Sequence, residues 1–198
     1  MIVLSAGHDS RFTGAGNKEF GLVEHHAALT ICDLIAERFR GDPQFCLLDL
    51  DRYAAMWTER LDSLHAKVNH INQLHKIEHV DLAIELHFNA CETHTGHGAE
   101  VLYWGKKGLV SHQAKKAAQI FQPLLEAFDG KYDGREIQHY ATLIYLNETK
   151  CPAIILEPVF LDHPIDCRPL LTHAGRISLV DAIAEGIHTV IREGLSGA

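Results

Sequence analysis

"VDLAIELHFNA", residues 80–90, decides the fold. From Leu82 to Leu86 the stretch is apolar at most positions, not at every second one, as expected for a strand covered on both faces. Such a strand belongs in the middle of a sheet with helices above and below it. Its far end turns polar at His87 and Asn89, so the chemistry is expected where the strand runs out.

Working outward from it, strand-like and helix-like stretches alternate. "MIVLSAG" (1–7), "QFCLLDL" (44–50), "GAEVLYW" (98–104) and "PAIILEPVF" (152–160) read as strands. Between Leu22 and Arg40, the residues Val23, Ala27, Thr30, Ile31, Leu34, Ile35 and Phe39 recur at helical spacing, until "GDP" (41–43) breaks the pattern. A second amphipathic helix is predicted over Leu61–His79, with Leu61, Leu64, Val68, Ile71, Leu74 and Ile77 inward. Two more are predicted over Leu109–Phe128 and Leu170–Leu195. The alternation predicts an α/β fold of three layers, a mostly parallel twisted sheet with helices on both faces. No repeat, low-complexity tract or linker interrupts residues 1–198, so a single catalytic domain without a separate binding module is expected.

Composition excludes several classes of function. The formal net charge is −8 and no basic tract occurs, which argues against nucleic acid and gives no attraction to an anionic surface. The five cysteines are odd in number and lack any C-x-x-C pair, so neither a disulfide framework nor a cysteine zinc module is expected. The N-terminus shows no basic segment ahead of an apolar run. The expectation is a monomer made in the cytoplasm, without stable membrane association. Histidine is the anomaly, at 15 of 198 residues.

In open α/β sheets ligands bind beyond the carboxyl ends of the strands. Those ends carry His8 after the first strand, His87 after the central one and Glu157 in "ILEPVF". Glu24 opens the first helix after a glycine-bearing loop, with Glu19 as its nearest competitor. Two imidazoles and a carboxylate suit Zn²⁺ and leave a position open for water. A further carboxylate that is not a ligand would move the proton, and Glu157 suits that role. A rival metal motif is "HKIEH" (75–79), an H-x-x-E-H whose histidines share one helix face. Nothing downstream supplies its third ligand as well as the strand ends do, so His75 and His79 are read as solvated helix-end residues.

The blocks "LSAGHDSRFTGAGN…GLVEHHAALTI", "LHAKVNHIN" with "VDLAIELHFNA", "GAEVLYW" and "CPAIILEPVFLDHPID" occur in order. Together they resemble the zinc-dependent N-acetylmuramoyl-L-alanine amidases of the amidase-3 type. The resemblance spans nearly the whole chain. It implies a zinc-peptidase- or amidase-like fold, one Zn²⁺ held by His8, Glu24 and His87, and Glu157 as the catalytic carboxylate. Peptidoglycan is the implied partner. The implied reaction is hydrolysis of the amide between N-acetylmuramic acid and L-alanine. Action on the periplasmic wall after release, as by a phage or prophage lysin, is the expectation that the leaderless start suggests. The rivals are a zinc peptidase or N-acyl amino-acid deacylase on a related scaffold, and an inactive wall-binding module.

This sequence departs from the family pattern at three places. Asp9-Ser10 stands where glycine is usual, Lys67 where an Arg is usual, and His163 where an Asn is usual. Asn89 is read either as an orienting group or as a turn cap. His94 and His97 are placed near the rim, and Trp57 and Trp104 as either core or groove-lining. Arg135 is left without an assigned role. His25, His26, His65, His70, His94, His97, His112, His139 and His173 are expected in solvent.

Overall fold

The computed structural model describes residues 1–49, 60–129 and 138–195. The expectations for Trp57 and Arg135 lie outside these residues. Among them the main sheet has seven strands in the order β4-β1-β5-β9-β6-β7, with β8 also paired to β6. These are β1 (Ile2–Ala6), β4 (Phe45–Leu47), β5 (Leu82–Leu86), β6 (Glu100–Lys106), β7 (Leu109–Val110), β8 (Gln138–Tyr140) and β9 (Ala153–Glu157). A small separate hairpin joins β2 (Gly16–Asn17) to β3 (Leu22–Val23). Strands β4, β1, β5 and β9 run parallel, and β6 runs antiparallel to β9. The layered, mostly parallel α/β fold is as expected.

Successive side chains of a strand point to opposite faces, and the two faces here differ. Ile2, Leu4, Leu82, Ile84, Leu86, Ile154 and Leu156 face α1 (Glu24–Arg38), α3 (His112–Asp129) and α5 (His173–Glu193) in one continuous apolar core. Full burial of a side chain of this size stabilises by about 1.5–3 kcal/mol. The alternate residues Val3, Ala83, Leu102, Ala153 and Ile155 face α2 (Arg60–Glu78) and α4 (Ile144–Glu148) in a smaller core. By the same alternation Ser5, Glu85, Glu100 and Glu157 lie on this second face. The sheet therefore has one dry side and one side interrupted by polar groups.

Several element boundaries differ from the sequence reading. Helix α1 starts at Glu24, because Leu22 and Val23 pair with the β2 strand. Its inward seam is Ala28, Ile31, Cys32 and Ile35; Thr30 is exposed and its hydroxyl donates to the His26 carbonyl. Leu109 and Val110 form β7 against β6, so α3 begins at His112. Residues Arg168–Leu171 make a 3-10 turn, and Thr172 then caps α5 by accepting a hydrogen bond from the Gly175 amide. Ile77, expected inward, is 79% exposed, because it lies in the final turn of α2 beyond the sheet. All five cysteines are free, and Cys32, Cys151 and Cys167 are buried. Among the described residues no helix is long and apolar enough to cross a membrane.

Candidate metal centre and active site

The parallel registers bring the carboxyl ends of β1, β5 and β9 to one edge, with Ala6 beside Leu86 and Leu86 beside Leu156. The next residues reach the same place: His8 two positions past β1, His87 one past β5, and Glu157 closing β9. Helix α1 contributes Glu24 from its first turn, where a carboxylate is favoured by the helix dipole. His8 adopts φ 61°, a left-handed backbone uncommon for a side-chain-bearing residue. That turn swings its imidazole back toward Glu24.

The three side chains converge. Glu24 Oε1 lies 3.0 Å from His8 Nε2 and 2.9 Å from His87 Nδ1. One donor atom from each residue falls within 4.8 Å of the others, an arrangement that could hold a metal ion. Among the described residues no other set of three such groups does so. The carboxylate is fixed from behind: the Ala15 amide donates to Oε2 at 2.7 Å and the Phe88 amide to Oε1 at 3.3 Å. Burial pushes the Glu24 carboxyl up, but the two histidines outweigh it and hold it well below the usual carboxylate range.

Two glycines shape the pocket. A Cβ on Gly7 would sit 2.4 Å from His87, and one on Gly14 would sit 2.3 Å from Glu24 and 2.5 Å from His8. Gly14 also adopts φ 76°, which L side chains rarely do. The imidazoles thus lie directly on backbone.

His87 is held from its other side as well. Glu85 Oε2 lies 3.2 Å from His87 Nε2, and the Lys67 ammonium donates to Glu85 Oε1 at 2.6 Å. Lys67 also donates to the Ala6 carbonyl at 2.6 Å. Burial alone would lower the His87 pKa, but the Glu85 carboxylate overrides it and raises the value to about 10. Glu85 is brought down to about 2 against its burial, chiefly by Lys67. Sequence reasoning missed Glu85. The available signal was a lone carboxylate in an apolar strand, matched by Lys67 one turn from Leu64 and Ile71 on the inward face of α2.

Beside this cluster opens a cavity of about 320 Å³, lined by His8, His87, Glu85, Asn89, Glu100 and Glu157 on the polar side. Leu64, Leu102, Leu143, Ile144, Tyr145 and Ile155 make its apolar wall. Glu157 Oε2 is buried and finds no hydrogen-bond partner among the described residues. Burial pushes its carboxyl up to about 8, with His87 opposing and Glu24 and Glu100 reinforcing the shift. Glu100 sits directly across from Glu157 in the β6–β9 register. The Asn89 side-chain amide donates to Glu100 Oε2 at 2.9 Å, and its carbonyl oxygen accepts from the Ala90 amide, a local contact of the turn-cap kind.

Other sequence expectations divide. His25, expected in solvent, is 3% exposed and its Nδ1–H donates to the Gly7 carbonyl at 2.8 Å. It lies one position from Glu24 on the helix, so the turn that presents the carboxylate also drives the imidazole inward. His94 pairs with Asp162 at 2.8 Å, and neither it nor His97 lines the cavity. Trp104 donates to the Asn147 side chain and packs on the smaller core, away from the cavity. His163 accepts the Asp166 amide. His79 is exposed, and His75 is half-buried with a ring nitrogen on the Val80 carbonyl at 3.1 Å. Neither joins a metal-holding set among the described residues.

The chain matches the Amidase_3 family, described as N-acetylmuramoyl-L-alanine amidase, over residues 2–189. It belongs to that family. As a member it is an amide hydrolase of peptidoglycan. No curated protein matches the sequence. Solved amidase structures share the fold at low identity. The catalytic domain of CwlV, an N-acetylmuramoyl-L-alanine amidase from Bacillus (Paenibacillus) polymyxa var. colistinus, superposes with a TM-score of 0.75 at 18% identity. That match covers 96% of this chain and 97% of that one. The CwlD amidase of Clostridioides difficile, solved in complex with the GerS lipoprotein, gives 0.76 at 19% identity, covering 96% and 98%. AmiC2 of Nostoc punctiforme gives 0.75 at 18%, covering 98% of each chain. At these identities the likeness speaks for the fold.

Proposed function

We propose that this amidase is zinc-dependent and hydrolyses the bond between the lactyl group of N-acetylmuramic acid and L-alanine. The observation that carries the reading is the meeting of His8 Nε2, His87 Nδ1 and Glu24 beside Glu157, whose buried Oε2 has no hydrogen-bond partner among the described residues. The donor set fits the ion. Ligand bonds of about 2.0–2.1 Å in a tetrahedral site place neighbouring donor atoms about 3.3 Å apart. The His8 and His87 separations from Glu24, 3.0 and 2.9 Å, need only a slight opening to match, and all three donors lie within 4.8 Å of one another, so the two imidazoles would close on the ion. Two imidazoles and one carboxylate also leave the site net positive.

Bound there, zinc would supply a Lewis acid that polarises the scissile carbonyl and makes water acidic enough to react near neutral pH. The rest falls to the chain. Glu157, ionised, takes a proton from the attacking water as oxygen adds to the carbonyl carbon. It then returns the proton to the departing alanine nitrogen as the C–N bond breaks. A carboxyl with its pKa near 8 can both accept and give that proton around neutrality. Glu85, ionised and clamped by Lys67, is unsuited to either step. The Leu102, Ile155 and Tyr145 wall keeps bulk water from the reacting bond.

Family membership over residues 2–189 supports reading the chain as one catalytic domain, and an enzyme with this substrate would act at the cell wall. Purified peptidoglycan treated with the enzyme should release stem peptides with new alanine amino termini and no new reducing sugars. One zinc should be bound per chain. New reducing ends, or turnover unaffected by complete removal of metal, would overturn the proposal.

A further inference from the structure

One buried arrangement on the cavity wall is left without a part in these steps. Lys67 and Glu85 are 7% and 2% exposed, yet they face each other as full charges. A buried ion pair is weak evidence for stability, since apolar residues of similar volume often serve as well or better. Position 85 points to the same side of β5 as Ala83, so an aliphatic side chain would suit it. What the charge pair adds is reach. One Glu85 oxygen is taken by Lys67, and the other lies 3.2 Å from His87 Nε2.

We propose that Glu85, clamped by Lys67, is a positioning residue that fixes the tautomer and ring orientation of His87 for metal binding. A neutral imidazole carries a single N–H, and the group facing one nitrogen decides which. With the Glu85 carboxylate at Nε2, the proton given up on metal binding is the one at Nδ1, whose lone pair then points to the space between His8 and Glu24. Gly7 supports the same orientation: its backbone lies so close to the His87 ring that no Cβ could be accommodated. Outer partners of this kind raise the basicity of a ligating histidine and hold its ring in place. Lys67 acts one step further out. By bonding the Ala6 carbonyl as well, it ties the ends of β1 and β5 to one ammonium.

This role rests on the zinc reading of His8, Glu24 and His87. The test is the zinc affinity of the whole chain, measured by competition with a chelating dye. It compares wild type with the double variants Lys67→Met/Glu85→Leu and Lys67→Met/Glu85→Gln. Removing both charges together avoids stranding one of them in the core. The leucine variant should bind zinc about 10- to 100-fold more weakly while its metal-free thermal unfolding stays close to wild type. The glutamine variant, which keeps an acceptor for the Nε2 proton, should recover part of the loss. Equal zinc affinity in all three would overturn the role. If the leucine variant does not fold, nitrogen NMR of His87 in zinc-loaded wild type decides. Nε2–H with a metallated Nδ1 supports it, and the opposite tautomer overturns it. A wild type that takes up no zinc removes the metal centre itself and this role with it.

Discussion

The two faces of the sheet are built from alternate residues of the same strands, and they do different work. On the side of α1, α3 and α5, β1, β5 and β9 contribute only aliphatic side chains. On the side of α2 and α4 the same strands carry Ser5, Glu85 and Glu157, and the cavity opens there. The first face holds the strands in register, and the second places charge at their ends. Glu24 crosses the divide: it starts a helix of the dry side and reaches over the sheet edge to the histidines.

Substitutions can separate the two roles. The largest effect is expected from His87→Ala, which should abolish stoichiometric metal and lower peptidoglycan hydrolysis by more than about 1000-fold, while the chain stays folded. Glu157→Gln should keep the metal and lower kcat by about 100- to 10,000-fold. Metal content measured beside turnover distinguishes the pair, and near-normal turnover in the glutamine variant would sink the proton-transfer role. On the opposite face Ile84→Ala should cost about 2–5 kcal/mol in denaturant unfolding and leave kcat per folded molecule unchanged.

A smaller contrast lies in pH. Folded, metal-free protein holds the Glu157 proton from about 4.5 up to about 8, where the unfolded chain has already released it. Stability from this group is therefore present at low pH and lost as pH rises through that window. Thermal scans of metal-free Glu157→Gln should show an advantage over wild type that widens from the lower to the upper end of it. A constant gap would place the carboxylate in a more polar setting than its burial indicates.

The smallest effect belongs to the rival histidine motif. His79 ends α2 with φ 54°, the position and backbone where glycine is usual. His79→Gly should raise stability by about 0.5–1 kcal/mol and leave zinc stoichiometry untouched. Loss of zinc there would return the motif to consideration.

Much of this was legible because the relevant signals are local. A doubly buried strand shows itself in its composition, and a histidine or glutamate just beyond such a strand stands out against it. His8, His87 and Glu157 were readable for that reason, and Glu24 as the acid that opens a helix. Glu85 and Glu100 were not: Glu85 takes its meaning from Lys67 on a separate helix and Glu100 from the strand that lies alongside, pairings that no single stretch contains. His25 was misread because the neighbouring histidine on α1, His26, does face solvent, and composition cannot tell the two apart. The short β8 and α4 elements carry too few residues for any periodicity to register.

The reversed direction of β6 has a practical consequence. Because β6 is antiparallel to β9, its first residue, Glu100, lies on the same edge as the last residue of β5. Residues 87–99 therefore leave and rejoin the sheet on one side, as an excursion that borders the cavity at His87 and Asn89. Their ties run to the neighbouring 159–166 segment, through Asn89 to Val159, Cys91 to Asp162 and Gly98 to Asp166. Insertions at the exposed tip, Glu92–Thr95, would lengthen the rim without shifting any strand, at an entropic cost that grows only slowly with length. The length of this edge can thus vary without displacing His87 or Glu157.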